Sequence, residues 1–152
     1  MAEQWLIDGY NLLHALQARK PRDPLSREDL FCLAAGFASF KKCDVLLVLD
    51  GAGPASELEG HATAHFKAVF SQKGTADAYI ERFLYDHRAT HRMTVVTDDR
   101  AIADIGRGGG AQVLSTALFT EMLKECSKEN SEFLDKERSK GHRFHRPFED
   151  KL

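Results

Sequence analysis

Short, wholly apolar segments alternate along this chain with segments of helical periodicity, and this alternation most constrains the fold. The run Val45–Leu49 is aliphatic throughout and ends at Asp50. Because polar residues do not alternate with apolar ones in it, the run predicts a strand buried on both faces. Trp5–Ile7 and Met93–Thr97 are similar short strands. Such strands separated by helices predict a parallel sheet covered by helices on both faces.

Helix-capping residues and glycines set the expected boundaries. Ser26, Thr75 and Ser115 each precede a segment of helical periodicity and are favoured N-caps. The predicted elements follow in order: strand Trp5–Ile7, helix Tyr10–Arg19, a helix after Ser26, strand Val45–Leu49, loop Gly51–Gly60, strand His65–Phe70, a helix after Thr75, strand Met93–Thr97, helix Arg100–Arg107, strand Ala111–Leu114 and a long helix after Ser115.

The end of the chain differs in composition from the rest. We expect one domain over residues 1–134 and a charged tail over 135–152. Lys136–Arg146 carries five basic residues against one acidic residue. Basic residues bind phosphate backbones, so this stretch could guide a nucleic acid. Three of its residues are the candidates for that role: Lys140, Arg143 and Arg146.

Acidic residues follow the predicted strands at their carboxyl ends. Asp8 ends the first predicted strand, and Asp50 ends the second. Asp98 and Asp99 follow the fourth strand, and Asp77 begins the helix that precedes the fourth strand. Ligands of open parallel sheets bind beyond the carboxyl ends of the strands, so we expect these side chains to converge on one edge. Carboxylates at such short distances repel each other, and one or two hard divalent cations would keep them ionised. The pattern predicts a Mg²⁺ or Mn²⁺ site suited to phosphodiester hydrolysis.

Each of these acids also has a purely structural alternative. Asp8 and Asp77 stand where helices begin, and acids are favoured there as caps and by the helix dipole. Asp50 stands in a predicted turn. Asp98 and Asp99 are harder to explain without a cation, because two adjacent charges repel. The recurrence of acids at one edge favours a common site.

Polar and basic neighbours of the acids extend the candidate site. Asn11 lies in the first turn of a helix, where its amide could orient a ligand or form a local turn. Thr97 could bond a ligating carboxylate or simply fill a strand. Lys73 and Arg100 flank the acids and could hold phosphate, although exposed cations are common on any surface.

Composition excludes several classes of protein. A hydrophobic fraction of 43% excludes wholesale disorder. The chain has no apolar run long enough for a membrane span and no signal-peptide pattern at its start. Its three cysteines form no CxxC pair, so neither a disulfide framework nor a zinc knuckle is indicated, and we expect a cytoplasmic protein without membrane partners.

Four motifs of the chain resemble those of NYN domains of the YacP type: IDGYNLLH at 7–14, VLDG at 48–51, KGTADAYIERF at 73–83 and VVTDDR at 95–100. This family lies within the PIN-like superfamily of metal-dependent ribonucleases. The resemblance spans about residues 4–123 and implies a three-layer α/β/α sandwich, Rossmann-like, with a central, mainly parallel sheet. It also implies an acidic Mg²⁺ or Mn²⁺ site that cleaves RNA endonucleolytically.

The resemblance carries roles to individual positions. Asn11 matches the polar partner of the first acid, and Asp50 matches a second-strand acid of variable role. Many members carry VTSD where this chain carries VTDD, and Asp98 is therefore expected to bind metal directly with Asp99 assisting. The implied metal ligands are Asp8, Asp77, Asp98 and Asp99.

The resemblance thus implies a metal-dependent endoribonuclease that acts in mRNA turnover or RNA processing near the ribosome. RNA is the expected partner and the ribosome a further one, with the oligomeric state left open. The alternative is a non-catalytic RNA- or ribosome-binding module whose acidic edge is only a metal-stabilised scaffold. Cleavage that depends on the acids would separate the two.

The net charge of −2 excludes a globally basic surface for binding nucleic acid. If the five acids of the edge are left out of the count, the chain has 21 basic and 18 acidic residues, which gives a net charge of +3. Affinity for bare RNA should then be modest and sensitive to salt. The ten Phe residues are expected to lie mostly in the core, and no aromatic surface for stacking bases is evident.

Overall fold

The computed structural model describes residues 3–87 and 92–139, with the backbone path alone for 128–139. The elements follow in order: β1 (Gln4–Asp8), α1 (Gly9–Arg19), α2 (Arg27–Lys41), β2 (Asp44–Leu49), α3 (Ser56–Glu59), β3 (Phe66–Phe70), α4 (Ala76–Asp86), β4 (Met93–Val96), α5 (Arg100–Gly108), β5 (Gln112–Leu114) and α6 (Thr116–Ser139).

The described strands form one five-stranded sheet in the order β3-β2-β1-β4-β5, and every neighbouring pair is parallel. This confirms the predicted α/β fold. In the centre, Leu6 of β1 lies opposite Leu46 on one side and Val95 on the other. The chain adds β2 and β3 on one side of β1 and then crosses to β4 on the other. This reversal creates a crevice at the carboxyl ends of β1 and β4, where such sheets bind ligands.

Two apolar clusters cover the two faces of the sheet. Trp5 and Ile7 point to the layer of α1, α2 and α6, where Phe37 and Phe119 pack with their ring centroids 5.0 Å apart. Leu6, the residue between them, points to the layer of α4 and α5. Because side chains alternate along a strand, a strand covered on both faces must be apolar at every position.

The predicted helix caps are confirmed. Ser26 and Asp29 form a reciprocal capping box at the start of α2. Thr75 accepts a backbone N–H at the start of α4 at 3.0 Å, and Ser115 does so at the start of α6 at 3.1 Å. Each cap satisfies an N–H group that has no partner within its helix.

Gly9 allows α1 to begin directly against β2. A Cβ atom at this position would lie 2.7 Å from Cδ2 of both Leu47 and Leu49 and 3.1 Å from the carbonyl oxygen of Val48. A side chain at this position would therefore collide with the neighbouring strand. The first turn of α1, with Asp8 at its start, is held at the carboxyl edge of the sheet by this close approach.

One element differs from the sequence expectations: the short helix α3 lies inside the segment 51–60, which the sequence predicts to be a loop. The long helix predicted after Ser115 is α6, which runs to Ser139. The tail candidates Lys140, Arg143 and Arg146 lie outside the described residues. None of the helices in the described segments is both long enough and apolar enough to cross a membrane.

Candidate active site

Four carboxylates from separate segments influence one another at the carboxyl edge of the sheet. Asp8 ends β1 and Asp50 follows β2, whereas Asp77 lies in the first turn of α4 and Asp99 precedes α5. The charges of Asp77 and Asp50 raise the pKa of Asp8. The charges of Asp99 and Asp50 raise the pKa of Asp77. The crevice beside β1 therefore gathers acids that lie far apart in the sequence.

Asp8 is the most buried of these acids, with 6% of its surface exposed. Its carboxylate caps α1 by accepting the backbone N–H of Asn11 at 3.3 Å and the side-chain N–H of Asn11 at 2.9 Å. Asn11 thus holds the Asp8 carboxylate in one orientation. This contact gives Asn11 the position beside the first acid that the motif implies.

Burial raises the pKa of Asp8 from 3.8 to about 6. Desolvation is the largest cause, because a buried charge loses its water. The bond from Asn11 lowers the pKa of Asp8, while the charge of Asp77 and a hydrogen bond shared with its carboxyl group raise it. That shared bond lowers the pKa of Asp77. The two carboxyl groups therefore lie close enough to perturb each other, and desolvation is the largest cause of the raised pKa in both.

Asp77 carries an unused acceptor inside the site. Its Oδ1 atom is buried and has no hydrogen-bond partner among the described residues. Desolvation is also the largest cause that raises the pKa of Asp77. Buried polar atoms almost always have partners, and an unpaired carboxylate oxygen is costly. This oxygen is available to a ligand.

Asp50 joins the end of β2 to the start of α4. Its Oδ1 atom accepts the backbone N–H of Ala76 at 3.0 Å. Nearby, Ser71 Oγ accepts the N–H of Gly51 at 3.0 Å and donates to the carbonyl of Gly74 at 2.9 Å. These bonds fix the start of α4, and with it Asp77, over the edge of the sheet.

The adjacent acids after β4 have different surroundings. Asp98 binds Thr116 at the start of α6 through both oxygens, accepting the N–H at 3.0 Å and the hydroxyl at 2.6 Å. Asp99 caps α5 by accepting the N–H of Ile102 at 2.9 Å, and its charge raises the pKa of Asp77. Asp99 thus lies near Asp77, whereas Asp98 is tied to the opposite helical layer.

The remaining candidates surround these acids. Thr97 is buried, and its hydroxyl accepts the N–H of Asp99 at 3.0 Å, so it orients the turn after β4. Lys73 is exposed in the loop before α4, and Arg100 is exposed in the first turn of α5. Both cations therefore stand at the edge that carries the acids, where they are accessible to an anion.

Two residues of this edge are absent from the sequence expectations. Thr116 anchors Asp98, and Ser71 bonds the two loops that flank Asp50. Both are hydroxyl residues just beyond the carboxyl end of a strand, which is the signal that could have identified them. Ser115, beside Thr116, is the residue that the simpler rule for a helix cap identifies.

The donors that this edge offers to a cation are carboxylate oxygens. In the described part of the chain, no three His, Cys, Asp or Glu side chains are positioned together to hold a metal ion. Helix N–H groups occupy oxygens of Asp50, Asp98 and Asp99. A dication beside Asp8 and the unpaired oxygen of Asp77 would relieve the desolvation and repulsion that raise both pKa values. Carboxylate oxygens suit Mg²⁺ or Mn²⁺.

Comparisons with known proteins agree with this architecture. The family model described as the YacP-like NYN domain matches residues 5–152. The crystal structure of Rae1 (YacP) from Bacillus subtilis is similar with a TM-score of 0.72 and 21% identity, covering 91% of this chain and 83% of that one. The W164L mutant of the same protein gives a TM-score of 0.69 and 22% identity, with 90% and 84% covered. No curated protein matches significantly.

Proposed function

The chain belongs to the YacP-like NYN domain family, within the PIN-like nuclease superfamily, and from this premise we propose that it is a metal-dependent endoribonuclease. The reaction is hydrolysis of RNA phosphodiester bonds at the carboxyl edge of the sheet. One observation carries the proposal: the buried Asp8 carboxyl lies against Asp77, whose Oδ1 is buried and unpaired. Two such carboxyls are unfavourable in a metal-free protein and suited to a cation.

Asp8 and Asp77 would hold the ion. The resemblance implies Asp98 as their next ligand, and we propose Asp99 in its place because the charge of Asp99 acts on Asp77. Asp50 and Asp98 would support the site through their bonds to the starts of α4 and α6. A bound Mg²⁺ or Mn²⁺ would supply an activated water as nucleophile and stabilise charge on the leaving oxygen. The metal roles of all five acids are part of this proposal.

The other candidate residues have distinct tasks in it. Asn11 orients the Asp8 carboxylate through two hydrogen bonds. Thr97 positions Asp99 by accepting its N–H. Lys73 and Arg100, exposed beside the acids, attract the phosphate backbone of the substrate. Each side chain thereby holds either an acid or the substrate in place.

The setting that fits this activity is mRNA turnover or RNA processing near the ribosome, in the cytoplasm. Lys140, Arg143 and Arg146 would guide RNA or the ribosome to the nuclease domain. Replacing all three by Gln in the full chain should weaken association with ribosomes and leave cleavage of a short RNA unchanged. Equal ribosome association would contradict that role for the tail.

The decisive experiment compares wild type with Asp77→Asn on single-stranded RNA in Mn²⁺ and in Mg²⁺. We expect cleavage to fall about a hundredfold or more, because an amide cannot supply the charge that holds the cation. The matched control is Asp104→Asn on the exposed surface of α5, which should cleave at the wild-type rate. Full activity in Asp77→Asn would overturn the proposal. RNA binding without cleavage in either metal would favour the non-catalytic module.

A further inference from the structure

A groove beside the candidate active site combines aromatic rings with cations. It has a volume of about 340 Å³ and runs along α4 from the loop that precedes this helix. Its lining includes Lys73, Tyr79, Arg82, Phe83 and His87. The candidate metal site does not require this combination, and packing against the core accounts only for Tyr79 and Phe83.

Two rings of the groove are stacked on each other. The centroids of Phe83 and His87 lie 3.9 Å apart, and their planes are 14° from parallel. His87 Nδ1 lies 3.0 Å from the carbonyl oxygen of Phe83, which fixes the imidazole ring. Phe83 packs against the core cluster of the α4 layer, whereas the His87 side chain is exposed. The pair is a preformed flat surface whose outer ring faces solvent.

The groove carries two cations that attract a polyanion. Lys73 and Arg82 are exposed, and neither forms an ion pair within the segments that the structure describes. Asp86 is the acid of the lining and lies one residue before His87. Lys73 and Arg82 attract phosphate groups, whereas Asp86 repels them. This pattern fits a nucleotide strand with its backbone at the cations and a base at the rings.

The loop end of the groove lies near Asp50 of the acidic edge. It includes Ser71 and Thr75, and the next residue, Ala76, donates its N–H to Asp50. A helix rises about 1.5 Å per residue, so the stacked rings lie roughly two to three turns along α4 from Thr75. A strand whose phosphate lies near Asp50 can therefore extend along α4.

We propose that this groove binds the single-stranded RNA substrate beside the scissile phosphate, with a base stacked on His87 and Phe83 and the backbone held by Lys73 and Arg82. The identity of the ligand rests on the proposed function. Bases in a duplex are already stacked on each other and cannot lie on an exposed ring. The groove therefore selects unpaired RNA, and it does so without reading the sequence.

The test measures binding of a short fluorescent single-stranded RNA by anisotropy in EDTA, where binding is separate from cleavage. His87→Ala should weaken binding about five- to tenfold, as expected for loss of one base-stacking contact. His87→Phe should restore affinity, because it keeps the ring. Arg82→Gln should weaken binding and reduce its dependence on salt. Asp86→Asn should strengthen binding.

A matched control lies away from the groove. Arg22→Gln removes an exposed arginine that follows α1, a helix of the opposite layer. This variant should bind RNA as wild type does. In Mn²⁺, His87→Ala should raise the KM for cleavage by the same factor and leave kcat nearly unchanged, which a general structural defect would not do.

The outcomes separate this proposal from the nuclease activity itself. If His87→Ala and Arg82→Gln both bind RNA with wild-type affinity and KM, and cleavage still depends on Asp77, the RNA-binding role of the groove is wrong and the nuclease proposal holds. If binding depends on His87 but no metal supports cleavage, the RNA-binding role of the groove holds and the nuclease proposal is wrong. Equal loss in binding of duplex and single-stranded RNA on His87→Ala would contradict stacking.

Discussion

Asp98 and Thr116 are joined by two hydrogen bonds, from the Thr116 N–H at 3.0 Å and from its hydroxyl at 2.6 Å. These bonds connect the end of β4 to the first residue of α6, in the layer opposite α4. Asp99 turns to the other layer, caps α5 and raises the pKa of Asp77. Two adjacent and chemically identical residues thus serve the two sides of the sheet.

The different surroundings of Asp98 and Asp99 predict opposite mutant phenotypes. Asp99→Asn should keep the cap on α5, because Asn is an equally good N-cap, and lower kcat about a hundredfold by removing charge beside Asp77. Asp98→Ala should lower the free energy of unfolding by about 1–2 kcal/mol by releasing Thr116, with a smaller effect on kcat. Urea unfolding and metal-dependent cleavage measure the two effects. A larger catalytic loss in Asp98→Ala than in Asp99→Asn would contradict this division.

The raised pKa of Asp8 predicts that metal-free protein loses stability as the pH rises. In the folded state this carboxyl keeps its proton up to about pH 6, against 3.8 for its ordinary value. The loss should therefore develop between about pH 4 and pH 6 and amount to about 3 kcal/mol at most. Asp8→Asn, which keeps the cap, should be more stable than wild type at pH 7.5 in EDTA and lose that advantage near pH 4. A variant less stable than wild type at pH 7.5 would refute this.

A divalent cation should stabilise the folded protein. Mn²⁺ or Mg²⁺ at a hundred times its Kd is expected to add about 2.7 kcal/mol to the free energy of unfolding. The gain should grow as the pH rises through about 6, because binding must displace the proton of Asp8. Thermal unfolding with and without EDTA measures the gain, and Asp77→Asn should lose most of it. An equal rise in Tm for this variant would place the ion elsewhere.

The close approach of α1 to β2 predicts a large cost for one methyl group. Gly9→Ala places a Cβ 2.7 Å from two leucine methyl groups and should lower the free energy of unfolding by about 1–3 kcal/mol. Because Asp8 caps the same helix start, the metal-dependent cleavage should fall as well. Gly60→Ala is the matched control, since nothing lies within 4 Å of its Cβ and its φ of −65° suits alanine. Equal unfolding curves for Gly9→Ala and Gly60→Ala would contradict this prediction and show that the side chains around Gly9 can move to accommodate the added methyl group.

The elements that the sequence predicts well are those with a local cause. The strand β2 and the cap at Ser26 each follow from a few neighbouring residues, an apolar run in one case and a hydroxyl before a helix in the other. The short helix α3 was missed because it lies in a segment rich in Gly, Ala and Ser and begins without a side-chain cap. Such a turn depends on packing, here of Leu58, which is buried.

The stacked rings of Phe83 and His87 show a second limit of sequence analysis. Their spacing of four residues places them on one face of α4, which the sequence does reveal. Which ring faces the core and which faces solvent depends on how α4 lies on the sheet. The sequence alone therefore shows no aromatic surface for bases, and the stacked pair is visible only in the fold.

The order of strands and acids along the chain is enough to predict that acids meet at one edge, because parallel strands carry their carboxyl ends to the same side and an acid ends or follows three of them. The contacts of each carboxylate oxygen depend instead on the packed structure. The partner of Asp50 lies 26 residues away in the chain, and that of Asp98 lies 18 residues away. Such contacts depend on how remote helices approach the edge, because a carboxylate bonds whichever donor the packing brings within reach.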